Sequence, residues 1–326
     1  MTQTVQGIVR KANVRMTRSA LSKVMSLTEA VQEFVRDGAS VGLGGQNIGR
    51  CAMATIHEII RQGRGNLTLY GCNLSISMDM LVGANLVRRC ESGSGNLERF
   101  GTTFCWRRKV ESGDIEMEDF SHLAMVSRFL AGEMGLPFMP TKSLLGSDIL
   151  GYTSRGGPKK FEVVDNPWNP GEPVVLLPAV NPDVAIVHVQ RADPMGNLFI
   201  EGFSTHEPEM IRAAKAAIVT CEELVSTEEA RRNPERTTIP FLHVSAVVHQ
   251  PWGAHPTSVH RYYDYDGEHI QHYQSCARQG GEAMQVYLDR YVYGCKSFAE
   301  YLERIGGPAR LEGLRASMQS MTGMRT

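Results

Sequence analysis

The stretch Asp37-Gly-Ala-Ser-Val-Gly-Leu-Gly-Gly-Gln-Asn-Ile-Gly-Arg50 constrains the fold more than any other part of the chain. Val41 to Leu43 reads as the end of a short buried strand, and Gly42, Gly44, Gly45 and Gly49 punctuate the turn that leaves it. Beyond Arg50, residues Met53, Ile56, Ile59 and Ile60 recur at helical spacing. Strand, glycine turn and helix together present bare backbone N–H groups at a helix N-terminus, where anions and developing oxyanions are stabilised. The spacing G-x-G-G-x-x-x-G is not the dinucleotide fingerprint, and the Lys-Ser/Thr of a phosphate loop is missing. A glycine-rich turn that binds nothing fits this stretch equally well.

The rest of the chain repeats the alternation. Leu27 to Val35 forms an amphipathic helix with Ser26 and Glu29 spaced as a capping box. Strands are expected at Leu67–Gly71, Val87–Cys90, Ile115–Glu118, Pro182–Gln190, Ala217–Cys221 and Val244–His249, with Leu198–Ile200 folding back on the fourth as a hairpin. Ser121 to Met134 is a helix closed by Gly135 and Pro137. Pro208 to Ala217 is helical, and so is the chain from about 274 onward. Cys72–Ser77 reads as a polar loop, Glu91–Asn96 as a second glycine-rich segment after its strand, and 146–173 as a long surface excursion. Strands alternating with helices imply an α/β fold, a mostly parallel open sheet with helices on both faces. Ligands of such sheets sit at the carboxyl ends of the strands. The segments at 42–49, 72–77 and 91–96 all follow strands, so they share one rim. The expected division is a basic arm at 1–22, an α/β domain at 23–273, and a helical segment at 274–326 packed on the same domain.

A net charge of −1, with 42% hydrophobic and 21% charged residues in a 326-residue chain, points to neither nucleic acid nor membrane as partner. No apolar run reaches the roughly 18 residues that span a bilayer, and no secretory h-region opens the chain. Arg10, Lys11, Arg15, Arg18 and Lys23, with no acid among them, make the first residues a solvated arm. Seven scattered cysteines show no C-x-x-C spacing, so neither zinc nor a disulfide framework is indicated, and a reducing cytoplasm is expected. His269-x-x-His272 lacks a third ligand and reads as a surface pair.

Several stretches resemble one family. They are Ser22-Lys-Val-Met-Ser-Leu27, Leu43-Gly-Gly45, Arg61-Gln-Gly63 with Leu67-Thr68, Met117-Glu-Asp-Phe-Ser121 and Gly135-Leu-Pro-Phe138. Asp165-Asn-Pro-Trp-Asn-Pro-Gly-Glu172, Asp183-Val-Ala-Ile-Val-His188, Val219-Thr-Cys-Glu-Glu223, Gly253-Ala-His-Pro256 and Tyr263-Asp-Tyr-Asp266 continue the series. In order, and from about 22 to 305, they resemble the α (A) subunit of family I coenzyme A transferases, nearest the glutaconate CoA-transferase branch. The resemblance implies the CoA-transferase fold, which is shared with ribose-phosphate isomerases. It implies a separate β subunit, an α2β2 heterotetramer, and coenzyme A or acyl-CoA as substrate, with no permanently bound cofactor. The nucleophile is then a glutamate of the β chain that carries CoA as a thioester. The Ser-Glu-Asn-Gly type segment bearing it is missing here, as expected of an α chain. Gly44 and Gly45, with Gln46 and Asn47, become candidate oxyanion donors, because carboxylate attack on a thioester builds negative charge on the carbonyl oxygen.

One position departs from the family. Where relatives carry glutamine after the residue that opens the 121–134 helix, this chain has His122. An imidazole N–H can donate to an oxyanion as an amide does, and it can also take a proton near neutral pH. A related ring-opening hydrolase group holds a catalytic glutamate at this place. A heteromeric CoA-thioester hydrolase, ring-opening C–C hydrolysis included, with His122 as base or polarising group, is therefore the rival to CoA transfer. A helix-start histidine bonded to a loop carbonyl is the third possibility. Asn73, Ser75 and Ser77 are placed to bind a substrate carboxylate, unless the serines cap the following turn. Ser94 and Asn96 lie where the family contacts substrate. Ser147 matches the family but has no nucleophile elbow around it. His188 is either a pocket residue or a satisfied strand histidine, and His255 a structural or a ligand contact. Glu222 and Glu223 face opposite ways on a strand, so they are no acid–base pair. A small-molecule sensor of this fold would need an N-terminal helix-turn-helix, which residues 1–23 are too short to form.

Overall fold

The computed structural model describes residues 22–151 and 159–322. All of the basic arm except Ser22 lies outside them. The chain runs α1 (Leu27–Phe34), β1 (Ser40–Leu43), α2 (Met53–Gln62), β2 (Leu67–Leu74), α3 (Ile76–Gly83), β3 (Val87–Gly95), α4 (Phe104–Ser112), β4 (Glu116–Asp119) and α5 (His122–Glu133). It continues through β5 (Phe138–Thr141), β6 (Glu162–Asp165), β7 (Pro173–Pro178), β8 (Val184–Ala192), β9 (Leu198–Phe199), α6 (Glu207–Ala213), β10 (Ala216–Leu224), α7 (Thr227–Arg232) and β11 (Ala246–His249). Helices α8 (Gly267–Gln279), α9 (Gly281–Leu288), α10 (Phe298–Arg304) and α11 (Gly307–Thr322) follow. The capping box forms as expected: Ser26 Oγ accepts from the Glu29 amide at 3.2 Å, and the Glu29 carboxylate accepts from the Ser26 amide at 3.0 Å.

Among the described residues the main sheet has the order β11-β10-β8-β1-β2-β3-β4, with every neighbouring pair parallel and β9 antiparallel to β8. β1 pairs with β2 on one side and with β8 on the other. From β1 the chain builds the sheet outward through β4, and from β8 it builds in the opposite direction. That reversal is the point where a crevice opens beyond the strand ends.

Both faces are covered, as the long apolar run of β8 requires. Val184 and Ile186 join a core with α1, α2, α3 and the C-terminal helices. Ala185, Val187 and Val189 join a second core with α5 and α6. Consecutive residues enter different cores because strand side chains alternate. Tyr273, Tyr287, Tyr291, Phe298 and Tyr301 seat the closing helices on the first core.

The structure corrects several local expectations. β2 runs to Leu74 and α3 starts at Ile76, so Cys72–Ser77 is a strand end and a helix start, not a loop. Glu91–Gly95 continues β3 rather than following it. Its glycines serve close approach: a Cβ on Gly93 would lie 2.4 Å from His122 Cδ2, and one on Gly95 would lie 2.9 Å from Met78 Cε. The excursion at 146–173 contains β6 and the start of β7, which join β5 in a separate antiparallel sheet of order β5-β7-β6. Helix α6 stops at Ala213 rather than Ala217, and α8 starts at Gly267 rather than near 274. His269 is buried and bonded to the Tyr287 hydroxyl at 2.9 Å, so His269-x-x-His272 is not a surface pair.

Candidate active site

The glycine turn leaves β1 at the switch point, but its backbone N–H groups are not bare. Gly44 N–H donates to the Ile186 carbonyl at 2.9 Å, Gln46 N–H to Gly49 at 2.8 Å and Asn47 N–H to Asn73 at 3.4 Å. Gly45 N–H donates to the Glu207 carboxylate at 2.9 Å. The start of α2 is closed in the same way. Cys51 N–H donates to Thr257 Oγ1 at 3.1 Å and Ala54 N–H to the Gly253 carbonyl at 2.9 Å. The expectation of free oxyanion donors at residues 44–47 therefore fails for this chain as it stands. The anion this turn receives is the chain's own Glu207.

Glu207 is fully buried at the start of α6 and forms an ion pair with buried Arg50, whose Nη1 lies 3.2 Å from Glu207 Oε1. Arg50 also donates to the carbonyls of His188 at 3.0 Å and Phe203 at 2.8 Å. Gly45 adopts φ +84°, and a Cβ there would meet Gly49 O and Cys51 N at 2.9 Å, so only glycine fits. Neither Arg50 nor Glu207 was singled out by the sequence. No local motif marks them, and they meet only through the fold.

Beside the turn, the ends of β2 and β3 and the start of α5 bring four expected residues together. Asn47 touches Asn73 through the backbone. Ser94 Oγ–H donates to Asn73 Oδ1 at 2.6 Å, and His122 Nε2 lies 3.0 Å from Ser94 Oγ. With the serine proton committed to Asn73, the serine oxygen accepts from His122 Nε2–H. No partner among the described residues takes the Asn73 Nδ2 donors, and the His122 side chain is exposed. The rim thus offers an amide, a hydroxyl and an imidazole in one bonded chain.

Several contacts fix His122 in place. Ser121 caps α5, its Oγ accepting from the Ala124 amide at 3.0 Å and lying 2.6 Å from Ser143 Oγ. Arg128, on the same helix, pairs with buried Glu91 of β3 at 2.8 Å, donates to the Pro178 carbonyl at 3.1 Å and stacks over Phe120. Gly93 lets the helix start lie directly on the strand.

The remaining candidates fall elsewhere. Ser75 is buried and donates to the Asn47 carbonyl, and its side chain caps nothing. Ser77 is buried inside α3, beside Cys51. Asn96 Oδ1 accepts from the Glu98 amide at 2.8 Å and shapes a turn. Ser147 donates to the Leu144 carbonyl at 2.7 Å. His188 is fully buried, with Nδ1 2.8 Å from Thr220 Oγ1 and Nε2 2.7 Å from Glu222. Glu222 also accepts from Tyr263 Oη at 2.6 Å and the Trp252 amide at 2.7 Å, so both residues belong to a closed network. His255 bridges Tyr301 Oη at 2.7 Å and Asp266 at 3.2 Å, a structural bond. Gln46 lines a cleft of about 300 Å³ shared with Arg50, Glu201, Phe203, Ser258 and His260, none of which belongs to the His122 rim. Burial pushes the Cys72 thiol, below the rim, up to about 12, so it is no nucleophile. Among the described residues no group of three or more His, Cys, Asp or Glu is placed to hold a metal ion.

Comparison with known proteins decides the family. Residues 24–250 match the Coenzyme A transferase family. The chain belongs to that family. The α (A) subunit of glutaconate CoA-transferase from Acidaminococcus fermentans is 35% identical over 88% of this chain and 92% of its own length. The crystal structure of that organism's glutaconate CoA-transferase superposes with a TM-score of 0.86, covering 90% of this chain and 95% of that one at 34% identity. An uncharacterized protein of Archaeoglobus fulgidus is 42% identical over 92% of this chain, which spans 66% of that relative's length. The cholesterol ring-cleaving hydrolase IpdA subunit of Rhodococcus jostii is 27% identical over 85% of this chain and 94% of its own length. The expected CoA-transferase fold, with its mostly parallel sheet, is the fold observed.

Proposed function

We propose that this chain is the α subunit of a heteromeric CoA-transferase that moves CoA between carboxylic acids. A separate β chain completes the site, in an α2β2 assembly. The observation that carries the reading is the bonded chain Asn73–Ser94–His122 at the strand ends of a CoA-transferase-family sheet. Its members are donors and a proton-capable imidazole, and none is a carboxylate nucleophile. They suit a thioester whose attacking group arrives from another polypeptide.

In the proposed cycle a β-chain glutamate attacks the acyl-CoA carbonyl carbon, and the C–S bond breaks to give a mixed anhydride and CoA thiolate. The thiolate attacks the glutamyl carbonyl, forming the glutamyl-CoA thioester and releasing the first acid. The acceptor acid reverses the sequence, which gives ping-pong kinetics. Asn73 Nδ2, which no described residue engages, and His122, once its Nε2–H turns from Ser94 Oγ to the substrate, stabilise the negative charge on the substrate carbonyl oxygen. The turn at Gly44 and Gly45, held by Glu207, forms the floor, and its amides enter the chemistry only if the partner's arrival frees one of them.

The imidazole at 122 also favours a second reading, a CoA-thioester hydrolase subunit in which His122 takes a proton from water. The complex co-expressed with its neighbouring β chain distinguishes the two. Transfer of CoA from acetyl-CoA to an acceptor carboxylate, with a glutamate at the partner's nucleophile position, supports transfer. CoA release that needs no acceptor and is abolished in His122→Gln supports hydrolysis and sinks the first reading.

A further inference from the structure

We infer that Glu207 is a positioning residue, the template on which the glycine turn is shaped and kept in register with the His122 rim. The inference rests on the proposed reading of that rim as half of a CoA-transfer site. Three residues of the turn, Gly45, Asn47 and Arg50, hold φ of +84°, +50° and +52°. Asn47 and Arg50 are not glycines, so their backbone conformation persists only where surrounding contacts over-determine it. Asn47 is tied to Asn73 and Ser75, and the contacts on the other two, Gly45 and Arg50, converge on Glu207. Its Oε1 takes both the Gly45 amide at 2.9 Å and Arg50 Nη1 at 3.2 Å, and its Oε2 takes Arg50 Nη2. Arg50 relays the anchorage to β8 through the His188 carbonyl and to the loop after β9 through the Phe203 carbonyl. A Cβ on Gly44 would stand 2.7 Å from Glu207 Oε1, so the strand end is fitted to the carboxylate as well.

A buried ion pair of this kind adds little net stability over apolar side chains of equal volume. What it does here is fix a conformation. When Arg50 loses its carboxylate, the turn relaxes, and Asn47 carries the change to the rim through its contact with the Asn73 carbonyl and its own carbonyl on Ser75.

The test uses Glu207→Gln and Arg50→Lys in the complex co-purified with its β chain, with acetyl-CoA as donor and glutaconate as acceptor. The glutamine can still accept from Gly45 N–H but meets Arg50 with an amide. The lysine keeps the charge but cannot bond Glu207, His188 and Phe203 together. Expected in each is a kcat lower by on the order of 10²-fold, the cost of misplacing a site by about 1 Å. The KM for acetyl-CoA should stay within about twofold. Amide hydrogen exchange should quicken over residues 44–50 and remain unchanged in α8–α11. If Glu207→Gln does not assemble, Arg50→Lys carries the test, because it retains the cation. Wild-type kcat in an assembled variant, a change in KM alone, or unchanged exchange over 44–50 overturns the inference. A wild-type complex that transfers no CoA instead sinks the reading of the site, and the exchange comparison still decides the role of Glu207.

Discussion

Gly93→Ala tests whether the contact between β3 and α5 sets the position of His122. A Cβ at residue 93 would lie 2.4 Å from His122 Cδ2, 2.8 Å from the Cys72 carbonyl oxygen and 2.9 Å from the His122 backbone nitrogen. Two of these three neighbours are backbone, so a rotamer change at His122 relieves only one. The helix start has to retreat by about 1 Å to reach ordinary contact, and a displacement of that size can cost about 10²-fold in rate. The retreat is resisted further along α5, where Arg128 is tied to Glu91 at 2.8 Å and to the Pro178 carbonyl at 3.1 Å. Overpacking against such a fixed helix should cost about 1–3 kcal/mol of stability. In steady-state assays of the complex, kcat is expected to fall on the order of 10²-fold, with a loss of a few degrees in melting temperature. An alanine variant with wild-type kcat and melting temperature would refute the close-approach reasoning.

Three further outcomes are expected. His122→Gln retains a side-chain N–H donor and should keep CoA transfer within about tenfold of wild type, whereas His122→Ala should lose on the order of 10²-fold, one donor's share. Equal losses in the two variants would remove the donor role. His57 is fully buried among Phe298 and Tyr301, and neither ring nitrogen meets a partner among the described residues. Burial pushes its pKa well below the ordinary histidine value, and it also lowers those of His206, His255 and His269, the last to about 3. The unfolded chain therefore binds protons below about 6.5 that the folded chain refuses, so stability is complete above that pH and declines as pH falls. His57→Leu should raise stability by about 1 kcal/mol at neutral pH and flatten this decline in denaturant titrations between about pH 6.5 and 4. An unchanged pH slope would show that His57 is not one of the groups refusing a proton.

Much of the architecture was legible in the chain because its cause is local. The β8 run is apolar at consecutive positions and can only be a strand buried on both faces, while Ser26 and Glu29 mark a helix start through their own hydrogen bonds. Ser94, Asn73 and His122 were reachable because each stands at the end or the start of an element, and strand ends of a parallel sheet share a rim. What stayed hidden depends on distance. Glycine at 93 and 95 suggests a segment beyond the strand end by composition, yet its purpose is the approach of α5 and Met78, which sequence spacing does not encode. The amides at 44–47 look free in sequence because the groups engaging them, Glu207 and the Ile186 and Asn73 carbonyls, are supplied by other segments. His188 sits in an apolar run like a candidate ligand, but its closure by Thr220, Glu222 and Tyr263 appears only once β8 and β10 pair and the 263 loop folds over them.

The most direct test is to incubate the two-chain complex with acetyl-CoA, reduce with borohydride and map the modified residue on both chains by mass spectrometry. A reduced glutamate on the β chain, with this chain unmodified and inert when purified alone, is the expected result. A reduced carboxylate on this chain, or full turnover by this chain without its partner, would contradict the division of labour proposed here.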